Sequence, residues 1–362
     1  MTSSASSAST SRPGFTGPAG ARGDLVDTIE AQRIGCEMSG SPLYAEILAA
    51  LGRDVEAGGT TARILAPYAG SPFGDAIPLR LLAGLHELVL RGDAPALAEH
   101  FPSVGGQPGR HLGETALAVV EANQVALKRR MKHGVQTNEV GRSTSLLPGY
   151  LALGASGLPL RILEVGASAG LNLWFDQFRY EGRTGAFGPV DSPVVFDRPF
   201  ALDEPDLSVP LPVAERRGCD LAPIDPTTDD GRIRLRSHIW PDQPERRARL
   251  DAALEVAADR PPLVEASGGV AWLERVLAEP VEGVTTVVVH TIVLQYFPTD
   301  ERRRLIATIE QAGIRASSSA PLAWLRMEPG GDQAEVRLTV WPDGGSRLVA
   351  RSSFHGPPVV LA

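Results

Sequence analysis

The sequence predicts an α/β protein in which a helical domain precedes a largely parallel sheet. Residues 24–153 carry apolar side chains at helical spacing and contain no strand-like run, whereas short apolar strands alternate with helices after residue 159. The chain has 362 residues, more than one compact domain usually contains. We therefore expect a disordered tail at 1–23, a helical domain at 24–153 and an α/β domain at 154–362 with an insertion around 180–212.

The composition narrows the class of protein. A formal net charge of −8 disfavours nucleic-acid binding, which needs clustered Lys and Arg. Two cysteines predict no disulfide framework, and no Cys/His spacing suggests a metal site. The Ser/Ala/Gly/Pro-rich tail lacks the apolar stretch of a secretory signal, and no run is long and apolar enough to span a membrane. We expect a cytoplasmic protein that acts on a small molecule, with its oligomeric state left open.

In the helical domain, the segments at 42–52, 79–92 and 112–131 have the clearest helical periodicity. The last of them places Leu117, Val120, Leu127 and Met131 on one face. It ends in a run of cations, which suits a helix C-terminus. No strand is expected in this half of the chain.

In the α/β domain, strands and helices are predicted in alternation. The predicted strands are RILEV at 161–165, VAERRGCD at 213–220, LVEAS at 263–267, TTVVVHTIVL at 285–294, and three at 321–328, 334–341 and 346–354. The predicted helices are LNLWFDQF after the first strand and the segments 245–258, 270–279 and 301–313. Asp242 is expected to cap the helix at 245–258, and Asp343-Gly344-Gly345 predicts a hairpin turn.

The first strand of this domain leads into a glycine-rich loop, Glu164-Val-Gly166-Ala-Ser168-Ala-Gly170. Glycines permit a tight turn and let a ligand approach the main chain. The pattern resembles the E/D-x-G-x-G-x-G motif of class I S-adenosylmethionine-dependent methyltransferases, with Ser168 in place of the middle glycine. The resemblance implies a Rossmann-like sheet, with Glu164, Gly166, Ser168 and Gly170 around the cofactor S-adenosylmethionine. Asp220, at the end of the second strand, is the candidate for the cofactor's ribose hydroxyls.

Three other interpretations of this loop stay open. A dinucleotide site would need glycine where Ser168 and Leu171 stand. Residues 166–170 also read as G-x-S-x-G, so Ser168 could be the nucleophile of a serine hydrolase, with His290 or His355 as base and Asp220 or Asp300 as its partner. The loop could also belong to a noncatalytic protein that keeps the fold.

Further candidates lie outside the loop. His290 ends a strand where open α/β sheets bind ligands, so it is the candidate base, although a buried structural histidine is equally compatible with the pattern. Asn138, Glu139 and Arg142 could fold over the cleft and contact substrate, or could cap the next helix. Trp240 and Tyr296 are further candidate substrate contacts. The arginines at 246, 247, 249 and 302–304 are expected on solvated helix faces.

Longer stretches resemble a bacterial family of unassigned function that carries a methyltransferase-like domain. They are VQTNEVGR at 135–142, LEVGASAGLNL at 163–173, GCDLAPIDP at 218–226, WPDQPERRARL at 240–250, HTIVLQY at 290–296 and PLAWLRME at 321–328. The resemblance covers about 20–360. It implies the fold and the class of cofactor, and leaves the methyl acceptor unidentified.

Overall fold

The computed structural model describes residues 25–362, so the tail predicted at 1–23 lies outside the described residues. The N-terminal part is helical, as predicted. Its helices are α1 (Leu25–Met38), α2 (Pro42–Glu56), α3 (Thr60–Leu65), α4 (Ile77–Arg91), α5 (Pro95–Ala98), α6 (Leu112–Ala122) and α7 (Gln124–Arg130). They share a hydrophobic core of their own, which includes Leu48, Leu82 and Phe101. Gly92 ends α4 with a left-handed φ of 81°.

The predicted helix over 112–131 is two helices, because the chain leaves helical geometry at Asn123 (φ −116°, ψ 26°). The Asn123 side chain donates to the Val119 carbonyl and so competes with the helical backbone there. The predicted apolar face survives the break: Val120, Leu127 and Met131 are buried in the helical core.

The rest of the chain forms an eight-stranded mixed sheet with helices on both faces, and a separate three-stranded sheet. The strands are β1 (Leu160–Val165), β2 (Arg179–Glu181), β3 (Ala186–Phe187), β4 (Val195–Asp197), β5 (Val213–Asp220), β6 (Val264–Ala266), β7 (Thr285–Thr291), β8 (Leu322–Pro329), β9 (Ala334–Trp341), β10 (Gly345–Ser353) and β11 (Gly356–Leu361). The accompanying helices are α8 (Arg142–Gly154), α9 (Asp229–Ser237), α10 (Pro244–Asp259), α11 (Gly269–Val276) and α12 (Thr299–Ile314).

The order in the eight-stranded sheet is β11-β10-β9-β8-β7-β1-β5-β6. Strands β6, β5, β1, β7 and β8 are parallel, and β9 to β11 continue the sheet as antiparallel neighbours. The chain builds outward from β1 to β6, then returns to the other side of β1 to form β7. The strand order therefore reverses between β1 and β7, and the crevice at their carboxyl ends is where an open α/β sheet binds ligands.

The sheet is buried on both faces. Leu147 of α8 and Leu250 of α10 pack with Ile162 and Val287 on one face. Leu273 of α11 and Ile309 of α12 pack with Leu163 and Val288 on the other. Successive residues of β1 and β7 thus alternate between two cores, which is why these strands read as continuous apolar runs.

Several elements differ from the sequence-based expectation. LNLWFDQF forms a 3-10 helix at Leu171–Gln177 instead of an α-helix. The 180–212 insertion holds a three-stranded sheet, because β4 adds to the β2–β3 pair in parallel. Helix α9 and the last strand, β11, were not predicted. Strand β7 ends at Thr291, short of the predicted residue 294.

Asp242 caps a different helix from the one predicted. The N-cap of α10 is Gln243. The Asp242 carboxylate instead accepts hydrogen bonds from the Ser41 hydroxyl (2.6 Å) and the Leu43 backbone N–H (3.1 Å) at the start of α2. It therefore supplies an acceptor for a backbone N–H in the first turn of α2, and joins α2 to the segment before α10.

Candidate functional site

The glycine-rich loop leaves β1 at the point where the strand order reverses. Gly166, Ser168 and Gly170 all adopt left-handed φ values of 72°, 55° and 74°. A Cβ atom on Gly166 would lie 2.5 Å from Val293 Cγ2, and one on Gly170 would lie 2.7 Å from Pro262 Cβ. Both glycines are therefore required by backbone conformation and by close packing.

The loop's backbone donors are already satisfied by the protein. Gly166 and Ala167 donate to the Cys219 carbonyl at 2.9 and 3.0 Å, which joins the loop to β5. Ala169 and Leu171 both donate to Asn138 Oδ1, at 3.2 and 3.0 Å. A pyrophosphate bound by this loop would have to displace the Asn138 amide.

Asp220 closes the other side of the loop. Its Oδ2 accepts from the Ser168 backbone N–H at 2.9 Å, and its Oδ1 accepts from Gln136 Nε2 at 3.1 Å and from the Ala222 backbone N–H at 3.0 Å. Leu221 beside it is 84% exposed, so an apolar side chain stands next to the carboxylate in solvent. Asp220 and the loop are neighbours, as the sequence-based assignment of both to one cofactor requires.

The segment 164–172 contains buried polar atoms without partners. Glu164 is 3% exposed, and its Oε2 makes no hydrogen bond. Ser168 Oγ and Asn172 Oδ1 are also buried and unpartnered. Burial raises the pKa of Glu164 to about 8; nearby Arg142 opposes this shift and Asp220 adds to it. A buried polar atom without a partner is costly, so these three atoms could each accept or donate a hydrogen bond to a group that binds here.

Residues 135–142, which we call the strap, cross the carboxyl ends of three adjacent strands. Gln136 contacts Asp220 after β5, Asn138 contacts the loop after β1, and Arg142 donates to the Thr291 carbonyl at the end of β7 at 3.2 Å. Arg142 also donates to the Phe354 carbonyl at 3.0 Å. The structure thus brings two of the three candidates in this segment, Asn138 and Arg142, to the reversal point.

Glu139, the third candidate, lies in a buried ion pair. Its Oε2 lies 2.7 Å from Nε and 2.5 Å from Nη2 of Arg246, and 3.5 Å from His355 Nδ1. The Arg246 charge lowers the pKa of Glu139 against the opposing effect of burial. The expected solvated face at Arg246 is wrong, because this side chain is 7% exposed. The sequence offered no signal for a pair 107 residues apart.

His290 is buried with both ring nitrogens engaged. Nδ1 lies 2.7 Å from Glu328 Oε1, and Nε2 accepts from Trp324 Nε1 at 3.0 Å. The ring therefore carries its proton on Nδ1. His290 alternates with Val289 along β7 and shares the face that α11 and α12 cover. Glu328 Oε1 also accepts from the Val293 backbone N–H at 3.1 Å, so the histidine supports the turn after β7.

Of the residues of the hydrolase alternative, Ser168 and Asp220 are neighbours, but neither candidate histidine forms a hydrogen bond with Ser168 in the described chain. Ser168 Oγ has no hydrogen-bond partner. His355 faces Glu139, and His290 faces Glu328 and Trp324. Asp300 is exposed and pairs with Arg303.

The two aromatic candidates lie in different surroundings. Trp240 packs against Tyr44 and His355, with ring centroids 5.9 and 6.2 Å away. Tyr296 lies in the turn after β7 and is 48% exposed.

Within residues 25–362, no three His, Cys, Asp or Glu side chains converge as metal ligands would. No helix in the same range has both the length and the apolar character needed to cross a membrane.

Fold and site define a mixed α/β protein with an N-terminal helical region and a glycine-rich loop at the reversal point of a mostly parallel sheet. The family model described as "uncharacterized protein conserved in bacteria (DUF2332)" matches residues 26–360. The chain belongs to this family, in agreement with the bacterial family expected from the sequence. No curated protein and no solved structure is significantly similar to the chain.

Proposed function

We propose that the protein is an S-adenosylmethionine-dependent methyltransferase that modifies an O or N atom of a small molecule. The observation that carries the proposal is the buried, unpartnered Glu164 carboxyl beside a left-handed glycine loop, where the strand order reverses. A carboxyl in that position suits the positively charged amino group of the cofactor. Asp220, one strand away, suits the ribose hydroxyls.

The residues of the chain would bind and orient the cofactor, which supplies a methyl group on a positively charged sulfur. Gly166 and Gly170 give the loop the left-handed turns that hold Glu164 and Asp220 on either side of it. Asp220 would exchange its Gln136 hydrogen bond for the ribose. Because both nitrogens of His290 are occupied, we assign it the positioning of Glu328 and of the turn after β7 instead of a proton-accepting role.

A noncatalytic role is the second candidate, and one observation favours it. Asn138 and Gln136 already occupy the loop donors and Asp220. A protein that had lost catalytic activity could keep this fold, with Asn138 and Gln136 bonded to the loop and to Asp220.

Calorimetric titration with S-adenosylmethionine and S-adenosylhomocysteine, with NADH as comparator, separates these candidates. We expect both sulfur compounds to bind and NADH not to bind. Gln136→Ala should tighten binding about three- to tenfold, because it removes the competing donor to Asp220, and Asp220→Asn should weaken it about tenfold or more. Gln311→Ala, on the exposed side of α12, is the matched control. Absence of binding to every one of these variants would favour the noncatalytic protein.

A second readout in the same titration concerns the Glu164 proton. With a pKa of about 8, the carboxyl is mostly protonated at pH 7 and should ionise when an ammonium group binds beside it. The measured heat should then depend on the ionisation enthalpy of the buffer, and Glu164→Gln should abolish that dependence. A buffer-independent heat for the native protein would remove Glu164 from the cofactor site.

A further inference from the structure

The first half of the strap, residues 135–138, is held in place by its side chains. Within the described chain, no backbone N–H or carbonyl of these residues forms a hydrogen bond. Gln136 instead donates to Asp220 and accepts from Arg234 through its amide, and the Asn138 amide accepts from the loop. A segment whose main chain makes no internal hydrogen bonds can leave its position without breaking a helix or a sheet.

The second half of the strap is anchored much more firmly. The Glu139 carbonyl accepts from the Asn172 side chain at 3.2 Å, and the Glu139 carboxylate lies in the buried ion pair with Arg246. Val140 is 2% exposed and belongs to the core that α8 shares with the sheet. The strap therefore changes from weakly to firmly held between Asn138 and Glu139.

The two weakly held side chains bond to groups that a ligand would use. Asn138 Oδ1 accepts from the backbone N–H groups of Ala169 and Leu171, as an oxygen of a ligand would. Gln136 Nε2 donates to Asp220, as a ligand hydroxyl would. The chain therefore fills its own site with two amides, and a ligand has to displace both of them.

Gly134 marks the other end of the weakly held segment. It is exposed, and a Cβ atom there would meet no other atom within 4 Å. We propose that residues 135–138 are an autoinhibitory lid, which covers the site when no ligand is bound and swings outward between Gly134 and Glu139 when a ligand enters. That the ligand is S-adenosylmethionine rests on the proposed function. The opening of the lid does not depend on it.

Amide hydrogen exchange, resolved by NMR, measures this opening because the loop contains its own reference. The N–H groups of Ala169 and Leu171 bond to the lid, whereas those of Gly166 and Ala167 donate to a carbonyl of β5. After correction for intrinsic rates, we expect the first pair to exchange about tenfold faster than the second in the native protein. Asn138→Ala should speed up the first pair by about another tenfold and leave the second within about twofold.

Calorimetric titration with S-adenosylhomocysteine is the second readout. Asn138→Ala should bind it about tenfold more tightly than the native protein does, because two hydrogen bonds no longer compete with the ligand. Gln136→Ala keeps the Asn138 contacts, and should speed up exchange of the same two amides by about threefold even if Asn138→Ala fails to fold. Gln311→Ala, on the exposed side of α12, is the matched control and should change neither the exchange rates nor the affinity.

Three results would overturn the lid. They are equal corrected exchange of the two amide pairs in the native protein, equal acceleration of both pairs in the folded variants, or an unchanged affinity of Asn138→Ala for a ligand that the native protein binds. Failure of the methyltransferase proposal looks different. If S-adenosylhomocysteine binds neither the native protein nor Asn138→Ala, that proposal is refuted, and the exchange rates alone decide whether the lid opens.

Discussion

Replacing Glu164 by glutamine should make the protein more stable, and increasingly so as the pH rises. The pKa of this carboxyl is raised from 4.5 to about 8 by burial. As the pH rises, Glu164 therefore gives up its proton in the unfolded chain before it does so in the folded protein. The free energy of unfolding consequently falls between about pH 4.5 and pH 8. One pKa unit corresponds to about 1.4 kcal/mol, so the cost at pH 7 is about 3 kcal/mol. Glutamine keeps the shape and never ionises.

Urea denaturation of the native protein and Glu164→Gln at intervals from pH 4.5 to pH 8 measures this effect. We expect the difference in the free energy of unfolding to grow by about 3 kcal/mol between pH 4.5 and pH 7, in favour of the variant. Glu114→Gln, at an exposed glutamate of α6, controls for the loss of one carboxyl and should stay within about 0.5 kcal/mol of the native protein. A difference that stays constant with pH would mean that Glu164 is ionised in the folded state, and would refute the reasoning.

Three more predictions follow from the site. Gly166→Ala should lower the free energy of unfolding, measured in urea, by about 2–4 kcal/mol, because the new Cβ would lie 2.5 Å from a neighbouring side chain and the backbone has a left-handed φ of 72°. Gly157 has a similar φ of 71° but open space around it, so Gly157→Ala should cost only about 1 kcal/mol. Equal losses in the two variants would contradict the packing argument. Arg246→Met should cost about 3–5 kcal/mol at pH 7, since it leaves Glu139 buried without its partner. Because the pairing lowers the pKa of Glu139, its stabilisation is present above the unfolded pKa of about 4.5 and is lost as pH falls, so the deficit should shrink in acid. A fluorophosphonate probe should leave Ser168 unlabelled in mass spectra, because Oγ is buried without a histidine partner; stoichiometric labelling would revive the hydrolase interpretation.

Local sequence signals predicted most of the elements correctly. Strand β1 was found from its apolar run and the glycine loop from the positions of Gly166 and Gly170, because backbone conformation there depends on near neighbours. Strand β5 was predicted correctly although its segment carries four charged residues. The α6–α7 break was missed because a single Asn123 side chain competes with helical hydrogen bonds inside a continuous apolar pattern. The last strand, β11, contains Pro357 and Pro358, which weaken any strand signal.

Contacts between residues far apart in the chain could not be predicted from the sequence, for a different reason. Asp242 was expected to cap the helix that follows it, but its carboxylate accepts from the backbone N–H of Leu43, 199 residues away, in the first turn of α2. Arg246 looked like one of several solvated arginines on α10, yet it is the one that meets Glu139 in the interior. A charged side chain on an amphipathic helix gives no sign of its partner until the packing of other elements places that partner beside it.

The α/β class and the glycines that the loop requires could be predicted without the structure, since they depend on periodicity and on local backbone geometry. The surroundings of the loop depend instead on how distant parts of the chain pack together. Asn138 and Gln136 occupy its donors and Asp220 because the strap crosses the carboxyl ends of three strands that lie far apart in the chain. Burial, which the sequence does not specify residue by residue, then keeps Glu164 protonated and both nitrogens of His290 engaged.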